Sequence, residues 1–134
     1  MALTLFVTGT DTGVGKTYAA CALIHALRAQ GLKVGAMKPV ASGCERTADG
    51  LRNDDALALI AATGRPLVYE TVNPYAFEPP IAPHLAARAA GVRIETAVLD
   101  AACRRLAADC EVLVIEGAGG WRVPLSDGLS FADW

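Results

Sequence analysis

The sequence has no block of basic residues, so nonspecific nucleic-acid binding has no electrostatic footprint in it; 12 lysines and arginines stand against 14 acidic residues, for a net charge of −2. It also lacks any apolar run near the roughly 20 residues that a membrane-spanning helix needs. The longest apolar helical stretch, Tyr18 to Leu27, is shorter and contains His25. Neither nucleic acid nor membrane is therefore expected as a partner. No leader is expected, because Met1-Ala2 runs straight into the first strand. The cysteines Cys21, Cys44, Cys103 and Cys110 lack the spacing of a metal site. Free buried thiols in a reducing cytoplasm are the expectation. Internal repeats and low-complexity linkers are missing too. What remains is 134 residues, 53% apolar and 19% charged, which suits one domain with a real core and argues against disorder.

The most informative segment is Gly9-Thr10-Asp11-Thr12-Gly13-Val14-Gly15-Lys16-Thr17. It follows an apolar stretch, Leu3–Val7, that reads as a buried strand, and it precedes a helical pattern from about Lys16 to Gln30. Strand, Gly-rich turn, Gly-Lys-Thr and helix form the context of a phosphate-binding P-loop. A helix N-terminus offers unpaired N–H groups and partial positive charge, both suited to phosphate oxygens. Glycines let the backbone curl around the anion, Lys16 adds a mobile charge, and the Thr17 hydroxyl can reach a magnesium ion. Gly9 and Gly15 enclose five residues, where the usual P-loop spacing has four. The plainer alternative is an ordinary strand-to-helix turn.

Further along, Ala20, Leu23, Ile24 and Leu27 share one face of the first helix, with Gly31 as its stop. Lys33–Lys38 reads as a second strand stopped by Pro39, and Ala41–Arg52 as a loop. A second helix starts at Asn53-Asp54, either of which could cap it, and ends at Gly64. Pro66–Pro83 holds five prolines and reads as irregular, with Leu67-Val68-Tyr69 as a candidate short strand. A third helix, about Glu95–Ala108, stacks Val98, Leu99, Ala102, Cys103 and Leu106. Val112–Ile115 is apolar at every position, as in a parallel strand buried on both faces. Gly117–Trp134 reads as a Gly-rich loop leading to the start of a helix. Alternating strands and helices imply an α/β fold with a mainly parallel sheet flanked by helices. In such sheets ligands bind beyond the carboxyl ends of the strands, which would bring the P-loop, Lys38 and Glu116 to one edge.

Around that edge several residues carry competing readings. Glu116 closes an apolar strand, where P-loop proteins commonly keep a carboxylate for magnesium; a solvated strand-end glutamate is the alternative. Asp54 and Asp55 open a helix and suit its dipole, yet one of them with Thr17 and Glu116 would make a reasonable magnesium set. Lys38 could bind an anionic substrate, although pattern alone favours a surface lysine. Gly117-Ala118-Gly119-Gly120 could bring N–H groups to an anion or simply form a flexible turn. His84 has no evident partner. Tyr75, Phe77 and Trp121 fit a pocket wall and a packed core equally.

The residues go further than the generic motif. Phe6–Thr12 with Val14–Thr17, Lys38-Pro39-Val40-Ala41-Ser42-Gly43, Gly50-Leu51-Arg52-Asn53 with Asp55-Ala56-Leu57, Thr71-Val72-Asn73-Pro74-Tyr75, Glu116–Trp121, Pro124–Asp127 and Phe131–Trp134 occur in this order. Together they resemble the dethiobiotin synthetase family, and the longer loop spacing is that family's own pattern. The resemblance implies a P-loop NTPase-type fold and an ATP- and Mg2+-dependent cyclo-ligase of biotin biosynthesis. Such an enzyme carboxylates 7,8-diaminononanoate (diaminopelargonic acid) with CO2 and closes the ring to dethiobiotin, releasing ADP and phosphate. It implies that Gly13, Val14, Gly15, Lys16, Thr17 and Tyr18 hold ATP phosphates. Asp55, Glu116, Gly117, Ala118 and Gly119 would also lie at the nucleotide. Thr17, Asp55 and Glu116 would be metal ligands, Lys38 the catalytic lysine, and Thr12 and Ser42 the substrate contacts. Gly13 stands where some members carry an acidic residue.

Family members continue through more strands and helices and form homodimers. Residues 1–134 are accordingly expected to be the N-terminal part of a longer P-loop nucleotide-binding domain, truncated at the C-terminus, with an exposed sheet edge. An inactive fragment is one alternative. A nucleotide switch of the partition-ATPase type is another, and the lack of a second lysine between Gly9 and Gly15 speaks against it. A related amidotransferase-type ligase of cobalamin synthesis would need a glutaminase region.

Overall fold

The computed structural model describes residues 2–9, 15–120 and 122–134. In chain order the elements are β1 (Leu3–Gly9), α1 (Lys16–Ala29), β2 (Val34–Met37), β3 (Val40–Ala41), β4 (Glu45–Thr47), β5 (Gly50–Arg52) and α2 (Asp54–Thr63). They continue with α3 (Tyr69–Val72), β6 (Tyr75–Ala76), α4 (Pro83–Ala89), α5 (Thr96–Ala107), β7 (Val112–Gly120), β8 (Pro124–Ser126) and β9 (Leu129–Ser130).

The centre is β7, flanked by β1 and β2 in a parallel sheet of order β1-β7-β2. Its apolar residues alternate between two faces. Val112 and Val114 pack with Ala20 and Ile24 of α1 and with Leu59 and Ala62 of α2. Leu113 and Ile115 pack with Val72 of α3 and with Ala102 and Leu106 of α5. An all-apolar strand is what a sheet covered on both faces demands, and each fully buried leucine or isoleucine contributes roughly 1.5–3 kcal/mol. A third cluster joins Val40, Phe77, Ile94, Leu99, Leu125 and Phe131 beyond the strand ends, forming the wall that supports the cleft described below.

The parallel α/β architecture agrees with the sequence expectation, and α2 begins and ends as its cap residues indicate. Asn53 caps it by accepting from the Ala56 N–H at 3.0 Å, and Gly64 ends it in a left-handed turn, φ 65°. Several local expectations need correction. The 41–52 loop contains an antiparallel hairpin, β4 with β5, whose exposed strands carry no apolar alternation to reveal them. Leu67–Tyr69 is not a strand: Tyr69–Val72 forms one helical turn, and the strand segment is β6, paired in parallel with β3. The proline-rich stretch also ends in a helix, α4, with Pro83 in the first turn, where its missing N–H costs nothing.

Val98 is 40% exposed rather than part of the inner face of α5. The strand after Asp109 does not stop at Ile115. It runs through Glu116 to Gly120, because β1 continues alongside and pairs Gly9 with Gly120. The expected terminal helix is replaced by the β8–β9 hairpin and a turn. The last long strand is central rather than an edge; among the described residues both β1 and β2 are edge strands, β2 with all four residues buried and β1 with Leu3 59% exposed. All four cysteines are free, and only Cys44 is fully buried.

Candidate active site

The first wall of the site is the start of α1. Gly15 holds its N-cap in the left-handed region, φ 85°, with open space where a Cβ would stand, so conformation rather than crowding calls for glycine. Lys16, the first residue of the helix, is 8% exposed, whereas Tyr18 projects outward at 83%. Thr12, Gly13 and Val14, expected to contact phosphate and substrate, lie outside the described residues, as does Trp121.

The second wall comes from the ends of β2 and β7. Lys38 is not the surface lysine that pattern alone favours: it is 4% exposed. Its ammonium donates to Glu116 Oε2 in a very short contact, to Asp55 Oδ2 at 3.4 Å and to the Gly117 carbonyl at 3.4 Å. Glu116 is fully buried, and Asp55 reaches the group from the first turn of α2 with its side chain 46% exposed. Three segments far apart in sequence thus converge on one cation.

Two buried polar atoms at this place have no hydrogen-bond partner among the described residues, Glu116 Oε1 and Ser42 Oγ. Both residues line one open cleft of about 780 Å³, whose walls also include Gly15 to Tyr18, Lys38, Asp55, Ala118 and Gly119. Gly117 is tightly packed, since a Cβ there would stand 3.2 Å from the Phe6 ring and the ring would have to give way. Gly119 sits at φ 66°, a conformation L-residues with side chains rarely adopt. The strand end can therefore pass close to whatever fills the cleft. The Cys21 thiol on α1 is pushed up first by burial and then by the charges of Glu116 and Asp55. The Cys44 thiol is raised by burial and partly relieved by its hydrogen bond with the Phe77 backbone and by the nearby Lys38 charge.

Chemically, the arrangement offers two lysines, two carboxylates and a helix N-terminus around one polar cavity, a set suited to stabilising charge on a transferring phosphoryl group. Asn53, Pro80, Ile81 and Pro83 also line the cleft. Asn53 was detectable only as a cap, and the proline wall gave no local signal, because no motif marks those positions as cleft residues. Tyr75 and Phe77 stack on each other, centroids 6.4 Å apart, outside the cleft lining. His84 is the second residue of α4, with its Nδ1 buried and without a partner among the described residues.

A family model described as an AAA domain matches residues 3–134. Over 129 residues the chain is 58% identical to the ATP-dependent dethiobiotin synthetase of Pseudomonas paraeruginosa (strain DSM 24068 / PA7), covering 96% of this chain and 57% of that one. It is 55% identical over 128 residues to that of Xanthomonas oryzae pv. oryzae (strain PXO99A), with the same two coverages. Against ATP-dependent dethiobiotin synthetase 1 of Escherichia coli (strain K12) it is 52% identical over 129 residues, again 96% and 57%. The chain spans somewhat over half the length of these curated relatives.

Proposed function

The chain belongs to the AAA domain family, and from that premise we propose that it forms the N-terminal part of an ATP-dependent dethiobiotin synthetase, a ligase of biotin biosynthesis. Residues 1–134 serve in this reading as one P-loop nucleotide-binding domain of a longer family domain. The observation that carries it is the buried Lys38 ammonium held between Glu116 and Asp55 on the same cleft as Lys16.

In the proposed reaction one amine of diaminopelargonic acid adds to CO2 and loses a proton, giving a carbamate. A carbamate oxygen attacks the γ-phosphorus of ATP and expels ADP. The second amine then attacks the activated carbonyl, closes the ring and expels phosphate. Gly13 to Tyr18 bind the phosphates of ATP, with Gly117, Ala118 and Gly119 along the nucleotide. Thr12 and Ser42 hold the diamine, which would satisfy the orphaned Ser42 Oγ. Lys38 stabilises the carbamate and the transferring phosphoryl group. Its near-complete burial makes that interaction stronger than it would be in water.

The residues present also fit a magnesium ion. Glu116 and Asp55 converge on one positive centre, and Glu116 Oε1 is an unpaired buried acceptor. Magnesium takes few protein carboxylates and completes its shell with phosphate and water. Thr17, Asp55 and Glu116 would hold the ion, and it would neutralise charge on the β- and γ-phosphates. A homodimer in the cytoplasm is the proposed setting, supported by the likeness to the family; no described helix is long and apolar enough to cross a membrane.

The test is calorimetric titration of MgATP into the folded chain and into Lys16→Ala. The variant is expected to lose on the order of 2–4 kcal/mol of binding. Equal affinity in two folded proteins would remove the phosphate-loop assignment. In a chain of full family length, Lys38→Ala should cut carbon-dioxide-dependent ADP release with diaminopelargonic acid far more than it changes ATP affinity. Normal turnover would demote Lys38 to a structural lysine.

A further inference from the structure

The 69–75 segment contributes no side chain to the lining of the cleft, yet it holds the two elements that carry the site's charges. Tyr69 is 8% exposed and Asn73 is 3% exposed. The Tyr69 hydroxyl accepts the Asn53 N–H at 2.6 Å and donates to Asn73 Oδ1 at 2.8 Å. Asn73 Nδ2 donates to the Lys38 carbonyl at 2.8 Å and to the Tyr75 carbonyl at 3.1 Å. The Lys38 N–H donates to the Val72 carbonyl at 2.8 Å. Both backbone polar groups of Lys38 are therefore held by residues 72 and 73.

The other end of the chain of bonds is the start of α2. Asn53 is its cap, and Asp55 lies two residues on. The Arg52 guanidinium lies over the Tyr69 ring, 4.2 Å from the centroid, which closes the bracket from outside. Burial raises the Tyr69 phenol, so the hydroxyl stays protonated and able to donate at any physiological pH.

We propose that Tyr69 and Asn73 are positioning residues. Through one hydroxyl and one amide they lock the Lys38 backbone to the N-terminus of α2, and so fix the separation between the Lys38 ammonium and the Asp55 carboxylate. The proposal rests on the nucleotide-site reading for its significance, but the bracket itself is testable without it. A tilt of α2 or a slip of the β2 end would move Asp55 and Lys38 independently, and displacements near 1 Å in such sites are costly.

The matched control is Tyr75, whose hydroxyl makes the same kind of pair away from Lys38: it accepts the Glu95 N–H at 3.0 Å and donates to the Arg93 carbonyl at 3.3 Å. Tyr69→Phe and Tyr75→Phe each delete one tyrosine hydroxyl that anchors the cap residue of a helix. The chain has three lysines, Lys16, Lys33 and Lys38, so lysine-selective 13C,15N labelling gives an assignable side-chain spectrum. Two quantities are read well below the melting temperature: the side-chain order of Lys38 by NMR relaxation, and MgATP affinity by calorimetry.

Tyr69→Phe is expected to mobilise Lys38 and weaken MgATP binding at least about tenfold, one 1.4 kcal/mol step. Tyr75→Phe should lower the melting temperature comparably and change neither. Asn73→Ser, which removes both amide donations, should reproduce the Lys38 effect if Tyr69→Phe folds poorly. Unchanged Lys38 order in the folded variants, or equal changes in the Tyr75→Phe control, would overturn the proposal. If the wild-type chain fails to bind MgATP, the functional reading falls, and the Lys38 order still decides the positioning role.

Discussion

Replacing Lys38 by methionine removes one charge from a buried pair while nearly keeping the side chain's volume. The Lys38 and Glu116 side chains are 5% and 1% exposed, so the carboxylate left behind recovers little hydration. Removing one partner of such a pair costs about 3–5 kcal/mol. Asp55 adds little, because it is half solvated and its attraction is worth about 0–1 kcal/mol. Glu116→Gln should cost less, roughly 1–3 kcal/mol, because the ammonium keeps Asp55 and the Gly117 carbonyl. In the double variant the stranded charge disappears, so its loss should fall short of the sum of the singles by about 2 kcal/mol. Urea unfolding at 25 °C, followed by circular dichroism, measures all three, with equal slopes required for the comparison. A Lys38→Met cost under about 1 kcal/mol, or strict additivity, would refute the view that this pair is a desolvated unit.

Other outcomes follow from the same coordinates. Gly64→Ala at φ 65° brings a Cβ against the end of the Arg28 side chain, which must swing away from its 2.7 Å hydrogen bond to the Ala62 carbonyl, whereas Gly31→Ala at φ 83° meets nothing within 4 Å. By thermal unfolding the second should cost the roughly 1 kcal/mol of left-handed strain, and the first about 1 kcal/mol more for the lost hydrogen bond. Asp109 is held below the usual carboxylate range, first by its hydrogen bond with Lys33. Its folded-state pKa is depressed, so its contribution is present above the unfolded-state value and is lost as pH falls through the folded one. Asp109→Asn should accordingly lower the melting temperature at neutral pH, with the difference vanishing in acid. Burial raises all four thiols, so each should react with a disulfide reagent at pH 8 more slowly than free cysteine, and Cys44, at 4% exposure, slowest. Fast labelling of Cys44 in the folded chain would show that the loop above it opens.

Where a residue's role depends on its neighbours in sequence, reading the chain was enough. The all-apolar Val112–Ile115 run specified a strand covered on both faces. Asn53 and Gly64 bounded α2 through capping and a left-handed turn, and Gly15-Lys16 opened α1 after a strand. The α4 start at Pro83 was readable from the tolerance of a helix's first turn for proline, but the surrounding prolines masked it. The exposed β4–β5 hairpin left no alternation to find. The one-turn helix at Tyr69 is too short to show a period, and it forms because its side chains find buried partners in distant segments.

The sequence by itself determined the main strands and long helices, the parallel sheet and the glycine-rich opening of α1, because hydrophobic periodicity and backbone capping act over a few residues. Which lysine is buried was decided only in three dimensions. Lys38 became the centre of the site because β7 lies between β1 and β2 and carries Glu116 beside it. The same arrangement let the strand run on to Gly120 along β1 and joined the 69–73 segment to both Lys38 and Asn53. Burial and ion pairing depend on which distant segments share a neighbourhood, and no local pattern around Lys38 encodes that.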